Sequence, residues 1–407
     1  MPPLRPLIDA DAHVYEPGEL WQHHVDPAFR DQAPTMRAAP DRPRLSWSQD
    51  TALMARIEAT CRRLGVPSHE AYDWIATGSA GPVDLVYDGK PVWEGLPPEA
   101  AVRGAAWIMV HHLEGFLARF SPESYVRVLG RQGVQRAHLH PSAGLWVLAI
   151  DTMPANLAAA LARAYNDWLL DFCAHDPAFL RPVGAMPQHD PKAMAAEVRR
   201  LATKGVRTVT IRPNPFRGRM IGTPDFEVFW QAITDTDMTV TLHEGSHARV
   251  ATTGGDRFRS QFGRHSTSHP TEQMMALLSL IENGVFIRHP TLRIGILEAG
   301  CGWLPYWLWR LDELEWRNLG WELSASVPEP PSTYFRRHCF VSCEPEEPGI
   351  ETVINQFGED CVVFGSDYPH TDHSADISQD IQRLVDRLGE RMTTRILWDN
   401  PLRWFGA

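Results

Sequence analysis

Short apolar runs recur along the chain, each bounded by polar residues and most followed by a stretch of helical periodicity. The first is Leu7-Ile8-Asp9-Ala10-Asp11-Ala12-His13. Further strands are predicted over 136–139, 180–186, 206–211, 239–242, 292–297, 339–342 and 361–364. Between and after them the spacing predicts helices over 155–174, 191–203, 225–234, 271–283, 303–316, 349–357 and 377–388. Ser121-Pro122 reads as a helix start, with serine as cap and proline at the first helical position. Several strand runs are continuously apolar, as expected where both faces of a sheet are covered. Eight strand–helix units in one chain predict an α/β fold, the TIM (β/α)8 barrel. Such a barrel carries its chemistry at the C-terminal ends of the strands. A doubly wound sheet is the second choice, but it would want a glycine-rich loop after the first strand, where Asp-Ala-Asp-Ala-His stands instead.

One stretch interrupts the rhythm. Residues 16–120 are rich in Pro, Arg and Trp and alternate poorly, with one helix-like piece over 51–64 and a hairpin signal at Tyr87-Asp-Gly-Lys-Pro91. The stretch is too long for a connection and too irregular for a core of its own. It reads as an insertion after the first strand of a single barrel domain spanning 1–407, covering the barrel mouth or mediating assembly. Trp93, Trp107, His111 and His112 lie in it, and pattern alone does not place them.

Composition narrows the partners. A net charge of -11 argues against nucleic acid or an anionic membrane, both of which need clustered Lys and Arg. No apolar run has the length of a membrane helix and the N-terminus shows no signal-peptide core, so a cytoplasmic location is expected. The 6 cysteines form no Cys-x-x-Cys pair and read as reduced, buried thiols. The 15 Trp read as core or interface, and a homo-oligomer is expected, or a hetero-oligomer with a paralogue. The 18 His matter more, because several fall at strand ends.

On a strand, Asp9, Asp11 and His13 would share a face. The fifth strand ends in Thr241-Leu-His243-Glu-Gly-Ser-His247, the sixth in Ile296-Leu-Glu298, and the eighth in Phe364-Gly-Ser-Asp367-Tyr-Pro-His370. A barrel brings these four mouths to one axis, and imidazole with carboxylate is the ligand set of zinc, iron or manganese. Each residue also has an ordinary explanation. His243 could be a hydrogen-bonded core histidine, and Asp9 to His13 a polar strand end. His247 and His370 could be loop residues, while His289 before Pro290 reads as capping a turn. Glu298 without a partner would be a costly buried carboxylate, which favours a metal or catalytic role. His138 and His140 flank the second strand's end, as pocket lining or as structure. Arg212 after the fourth strand is a candidate clamp for a substrate anion.

These residues carry a resemblance. Asp9-Ala-Asp-Ala-His-Val-Tyr-Glu-Pro17, Ala164-Tyr-Asn-Asp-Trp168, Arg181-Pro-Val-Gly-Ala-Met-Pro187, the run from His289 to Pro305, Phe364-Gly-Ser-Asp-Tyr-Pro369 and Ile396-Leu-Trp-Asp-Asn-Pro401 resemble the amidohydrolase-related family, the amidohydrolase 2 group. That group includes aminocarboxymuconate semialdehyde and dihydroxybenzoate decarboxylases. The resemblance covers nearly the whole chain outside 16–120, and it is specific to the family but not to one activity. It implies a metal held by Asp11, His13, His243 and Asp367. The first motif is Asp-x-His rather than His-x-His, as in a minority of the decarboxylases. Glu298 stands where the decarboxylases keep a catalytic histidine, which puts their proton shuttle in doubt and supplies a carboxylate able to ligate or bridge a second metal.

Four readings follow. The first is a metal-dependent hydrolase of a small, anionic organic substrate, with zinc the expected metal. In it Asp367 takes the proton of a metal-activated water, His247 or His370 donates to the leaving group, Arg212 and His140 contact substrate, and Glu298 serves as ligand or catalyst. The second is a non-oxidative decarboxylase of an aromatic or unsaturated acid. The third is a dinuclear iron or manganese oxygenase, built from Asp11, His13, His243, Glu298, Asp367 and His370. The last is a non-catalytic partner subunit of an active paralogue.

Overall fold

The computed structural model describes residues 5–39, 50–77, 83–93, 98–245, 249–323, 327–371 and 374–406. The eight expected strands are β1 (Leu7–His13), β2 (Val134–His140), β3 (Leu180–Ala185), β4 (Thr208–Ile211), β5 (Thr239–Leu242), β6 (Ile294–Ile296), β7 (Cys339–Cys343) and β8 (Val362–Phe364). Among the described residues they pair in parallel and in chain order. β4 and β5 alternate Thr with aliphatic residues and are buried throughout, and Thr239 Oγ1 donates to Thr208 Oγ1 at 3.0 Å across them. β-branched residues on both faces suit a sheet sandwiched between side-chain layers.

The barrel closes beyond the strand ends. His13 N donates to the Tyr368 carbonyl and Asp367 N to the Asp11 carbonyl, each at 2.7 Å. Gly365 permits this approach, since a Cβ there would lie 2.4 Å from the Asp11 Cβ. The barrel interior is plugged by the closing helix Asn400–Phe405: its Trp404 and Phe405 pack against Ile8, Ala10, Leu297, Phe340 and Val363. His138 stacks on Phe405 with ring centroids 3.4 Å apart, so of the two histidines at the end of β2 this one belongs to the plug.

Three elements differ from their predicted form. The helix after β5 runs Gln261–Glu282, starting well before residue 271, because Ser260 caps it by accepting from Gly263 N at 3.1 Å and Pro270 is absorbed within it. The segment 303–316 is the α-helix Leu304–Trp309, which widens into a π-helix over Arg310–Trp316. Pro122 does begin the helix Pro122–Gly130, but Ser121 makes no side-chain cap bond.

The 16–120 segment holds the expected helix Thr51–Leu64 and the expected hairpin, Val83–Tyr87 to Lys90–Pro91, turned by Asp88 and Gly89 at φ of 50° and 72°. It also holds helices Ser68–Thr77, Pro98–His111 and Leu113–Leu117, and Thr35–Ala38 joins the hairpin in a three-stranded sheet. Its contacts reach the loops after three barrel strands. Trp93 packs on Trp146 at 5.6 Å between ring centroids, Tyr87 O accepts from Arg249 Nη1 at 3.0 Å, and the His112 ring meets Tyr368 at 4.8 Å.

Candidate metal centre

β1 does not present its three polar residues on one face. Its pairing with β2 slips between Asp9 and Ala12, a bulge that turns Asp9 away from Asp11 and His13. Asp9 instead accepts from Ser366 N at 2.9 Å and Ser366 Oγ at 2.5 Å, tying β1 to the loop after β8. Burial pushes its carboxyl up to about 6.

Asp11 and His13 face the mouth. Asp11 Oδ1 lies 3.5 Å from His13 Nε2, 3.4 Å from His140 Nδ1 and 3.8 Å from His243 Nε2. His13 Nε2 is 3.1 Å from His243 Nε2 and 3.2 Å from Asp367 Oδ1, which joins groups from opposite ends of the chain. One ligand atom each from Asp11, His13 and His243 falls within 4.8 Å of the others, and the same holds for His13, Asp367 and His370.

The outer nitrogens fix the ring orientations. His13 Nδ1–H donates to the Pro141 carbonyl and His243 Nδ1–H to the Glu244 carbonyl, both at 2.9 Å. Each ring therefore turns a lone pair at Nε2 toward the other and toward Asp11. Burial, and next the charge on His370, hold His13 well below the usual histidine range, while burial takes His140 down to about 3. Asp11 Oδ1 and His140 Nε2 are buried without a hydrogen-bond partner. Lone pairs facing one another around an unpartnered buried carboxylate oxygen are a costly arrangement in protein alone. A divalent cation relieves it, so these residues fit a metal.

His370 bridges two groups at the rim. Its Nδ1 is 2.8 Å from Asp367 Oδ1 and its Nε2 is 2.6 Å from Ser142 Oγ, which donates to the Val14 carbonyl at 2.7 Å. His370 thus links the Asp367 carboxylate to Ser142, one ring nitrogen to each. Asp367 and Glu298 sit at φ of 51° and 53°. Backbone of this kind costs on the order of 1–3 kcal/mol and collects at functional sites.

Glu298 lies beside His243, on the side of the mouth away from Asp367 and His370. Its Oε2 reaches His243 Nε2 at 3.1 Å and His269 Nε2 at 3.5 Å, and it groups with His265 and His269 rather than with Asp11 and His13. Arg212, expected to clamp a substrate anion, is buried and engaged within the protein. It donates to the Ala149 carbonyl at 2.6 Å, pairs with Asp151, and lies over the Phe216 ring. His289 contacts Glu227 and Thr234 away from the mouth. His247 lies outside the described residues. Sequence reasoning passed over Ser142, which stands alone without a motif. It also passed over His265 and His269, whose spacing of four carries meaning only once the helix is known to begin before Pro270.

The amidohydrolase family profile matches residues 79–407. A gamma-resorcylate decarboxylase of Polaromonas sp. strain JS666 is 25% identical over 302 residues, spanning 69% of this chain and 86% of that protein. An amidohydrolase from Mycobacterium avium subsp. paratuberculosis K-10 superposes with a TM-score of 0.71 at 18% identity, covering 99% of each chain. A dihydroxybenzoic acid decarboxylase from Polaromonas sp. JS666, solved with bound manganese and the inhibitor 2-nitroresorcinol, gives a TM-score of 0.56 at 20% identity over 69% of this chain and 84% of that one. At such identities the structural likenesses speak for the fold. The profile match spans most of the chain: it belongs to the amidohydrolase family and is an enzyme of that superfamily, a hydrolase or a carboxy-lyase.

Proposed function

We propose that this enzyme removes the carboxylate of an aromatic or unsaturated acid without oxidation. The hydrolytic reading, first from the residues alone, ranks behind it because the curated relatives compared are decarboxylases. The observation that carries the proposal is the convergence of Asp11, His13, His243 and Asp367, with His370 Nδ1 2.8 Å from Asp367 Oδ1 at its edge.

Asp11, His13, His243 and Asp367 would hold the metal. Carboxylate and imidazole together suit manganese or iron as well as zinc, and structurally similar decarboxylases of 5-carboxyvanillate and dihydroxybenzoic acid were solved with bound manganese. When bound, the metal would supply positive charge that attracts and orients the anionic substrate. The Asp367–His370 pair delivers its proton to the ring carbon bearing the carboxylate. The carbon–carbon bond then breaks, its electron pair restores the ring, and carbon dioxide leaves. Ser142 holds His370 in place for that transfer. The 16–120 insertion covers the mouth and shapes the substrate pocket, a reading supported by its contacts to the loops after β2, β5 and β8.

The test is a panel of hydroxybenzoates labelled at the carboxyl carbon, incubated with manganese-restored enzyme. Labelled carbon dioxide is expected from at least one member. Silence across the panel, with cleavage of an ester or amide panel instead, returns the enzyme to hydrolysis.

A further inference from the structure

The long helix Gln261–Glu282 brings His265 and His269 to the rim, one turn apart on one face. Their rings stack with centroids 4.0 Å apart, and one ligand atom from each lies within 4.8 Å of a Glu298 carboxylate oxygen. Metal–ligand bonds near 2.1 Å place neighbouring ligand atoms roughly 3–3.5 Å apart, and His269 Nε2 stands 3.5 Å from Glu298 Oε2.

Glu244 supplies a second, independent observation. Its carboxylate is fully buried, accepts from Asn214 Nδ2 at 2.9 Å, and makes an ion-pair contact with His269 Nδ1 at 3.3 Å, without hydrogen-bond geometry. A carboxylate behind the outer nitrogen of a histidine is the arrangement that aims the inner nitrogen at a metal. The same residue's carbonyl holds His243 by its outer nitrogen. Glu244 thus holds one imidazole beside Glu298 by a hydrogen bond and faces the other as a charge. Glu298 Oε2 in turn lies between His243 Nε2 and His269 Nε2, on strained backbone at the end of β6.

We infer a second divalent-cation site formed by His265, His269 and Glu298, adjoining the first through the Glu298–His243 contact. Two imidazoles and a carboxylate suit iron(II), manganese(II) or zinc. The inference stands independently of decarboxylation, and it gives a physical reason for the carboxylate of Glu298 beside His243: it faces two cations.

The experiment is metal stoichiometry. Enzyme stripped by chelator is titrated with manganese(II) and read by elemental analysis and electron paramagnetic resonance. Wild type is expected to bind two equivalents with a spin-coupled signal. His265→Ala, at a half-buried position, and His265→Gln/His269→Gln, which keeps side-chain volume, are expected to bind one equivalent with an isolated six-line signal, with unchanged melting of the metal-free proteins confirming the fold. Asp11→Asn/His13→Gln is expected to retain the second equivalent. One equivalent in wild type, or two in the helix variants, overturns the second site while leaving the first. No metal in wild type overturns both.

Discussion

At the residue scale, the proposed chemistry turns on Asp367. It closes the barrel through its backbone N–H, stands 3.2 Å from His13, and lies 2.8 Å from His370 Nδ1. Asp367→Asn keeps the size and removes the acid. It is expected to lower kcat by about 10²–10⁴-fold even at manganese concentrations high enough to fill the weakened site, the range of a lost general acid, while the circular-dichroism signature of the fold holds. Full turnover in that variant would take Asp367 out of the chemistry. Asp11, His13 and Asp367 are legible in sequence because each follows an apolar run at fixed spacing. Asp9 obeys the same spacing and still points elsewhere, because a bulge is set by pairing with a distant strand rather than by the local pattern.

At the element scale, the seam between β1 and the loop after β8 sets the precision of the site. Gly365 is its narrowest point, with Asp11 alongside. Gly365→Ala drives a methyl group into the Asp11 side chain. The expected result is about 1–3 kcal/mol of lost stability in urea unfolding and weaker manganese binding, both measured on one preparation. Loss of neither would mean that the seam has slack. Periodicity revealed every barrel strand, because apolar runs buried on both faces stand out from their surroundings. It located the helix after β5 only from Pro270 onward, since a proline normally marks a boundary and the first turns are polar. The histidines hidden in those turns are what the second cation site is built from.

For the whole molecule, eight parallel strands put residues 11 and 367 side by side, and no local signal could do that. The count of strand–helix units implied it, and backbone hydrogen bonds between the two chain ends realise it. The insertion was legible as an interruption, with one helix and one hairpin; its remaining helices lack a clean apolar stripe and take shape against the barrel. Among the described residues no helix is long and apolar enough to cross a membrane, and all 6 cysteines are free and buried. Because the proposed metal ligands join β1, β5 and the loop after β8, cation binding is expected to brace the entire barrel. Dialysis against chelator is expected to lower the melting temperature, and manganese at about 1,000 times its Kd to restore roughly 4 kcal/mol. A melting curve indifferent to chelator would deny that brace.

The account rests on a cation gathered by side chains from both ends of the chain. Crystals grown with manganese and measured at its absorption edge test this most directly. The predicted result is an anomalous peak about 2.2 Å from ligand atoms of Asp11, His13, His243 and Asp367. A map with no peak among those four residues would contradict it.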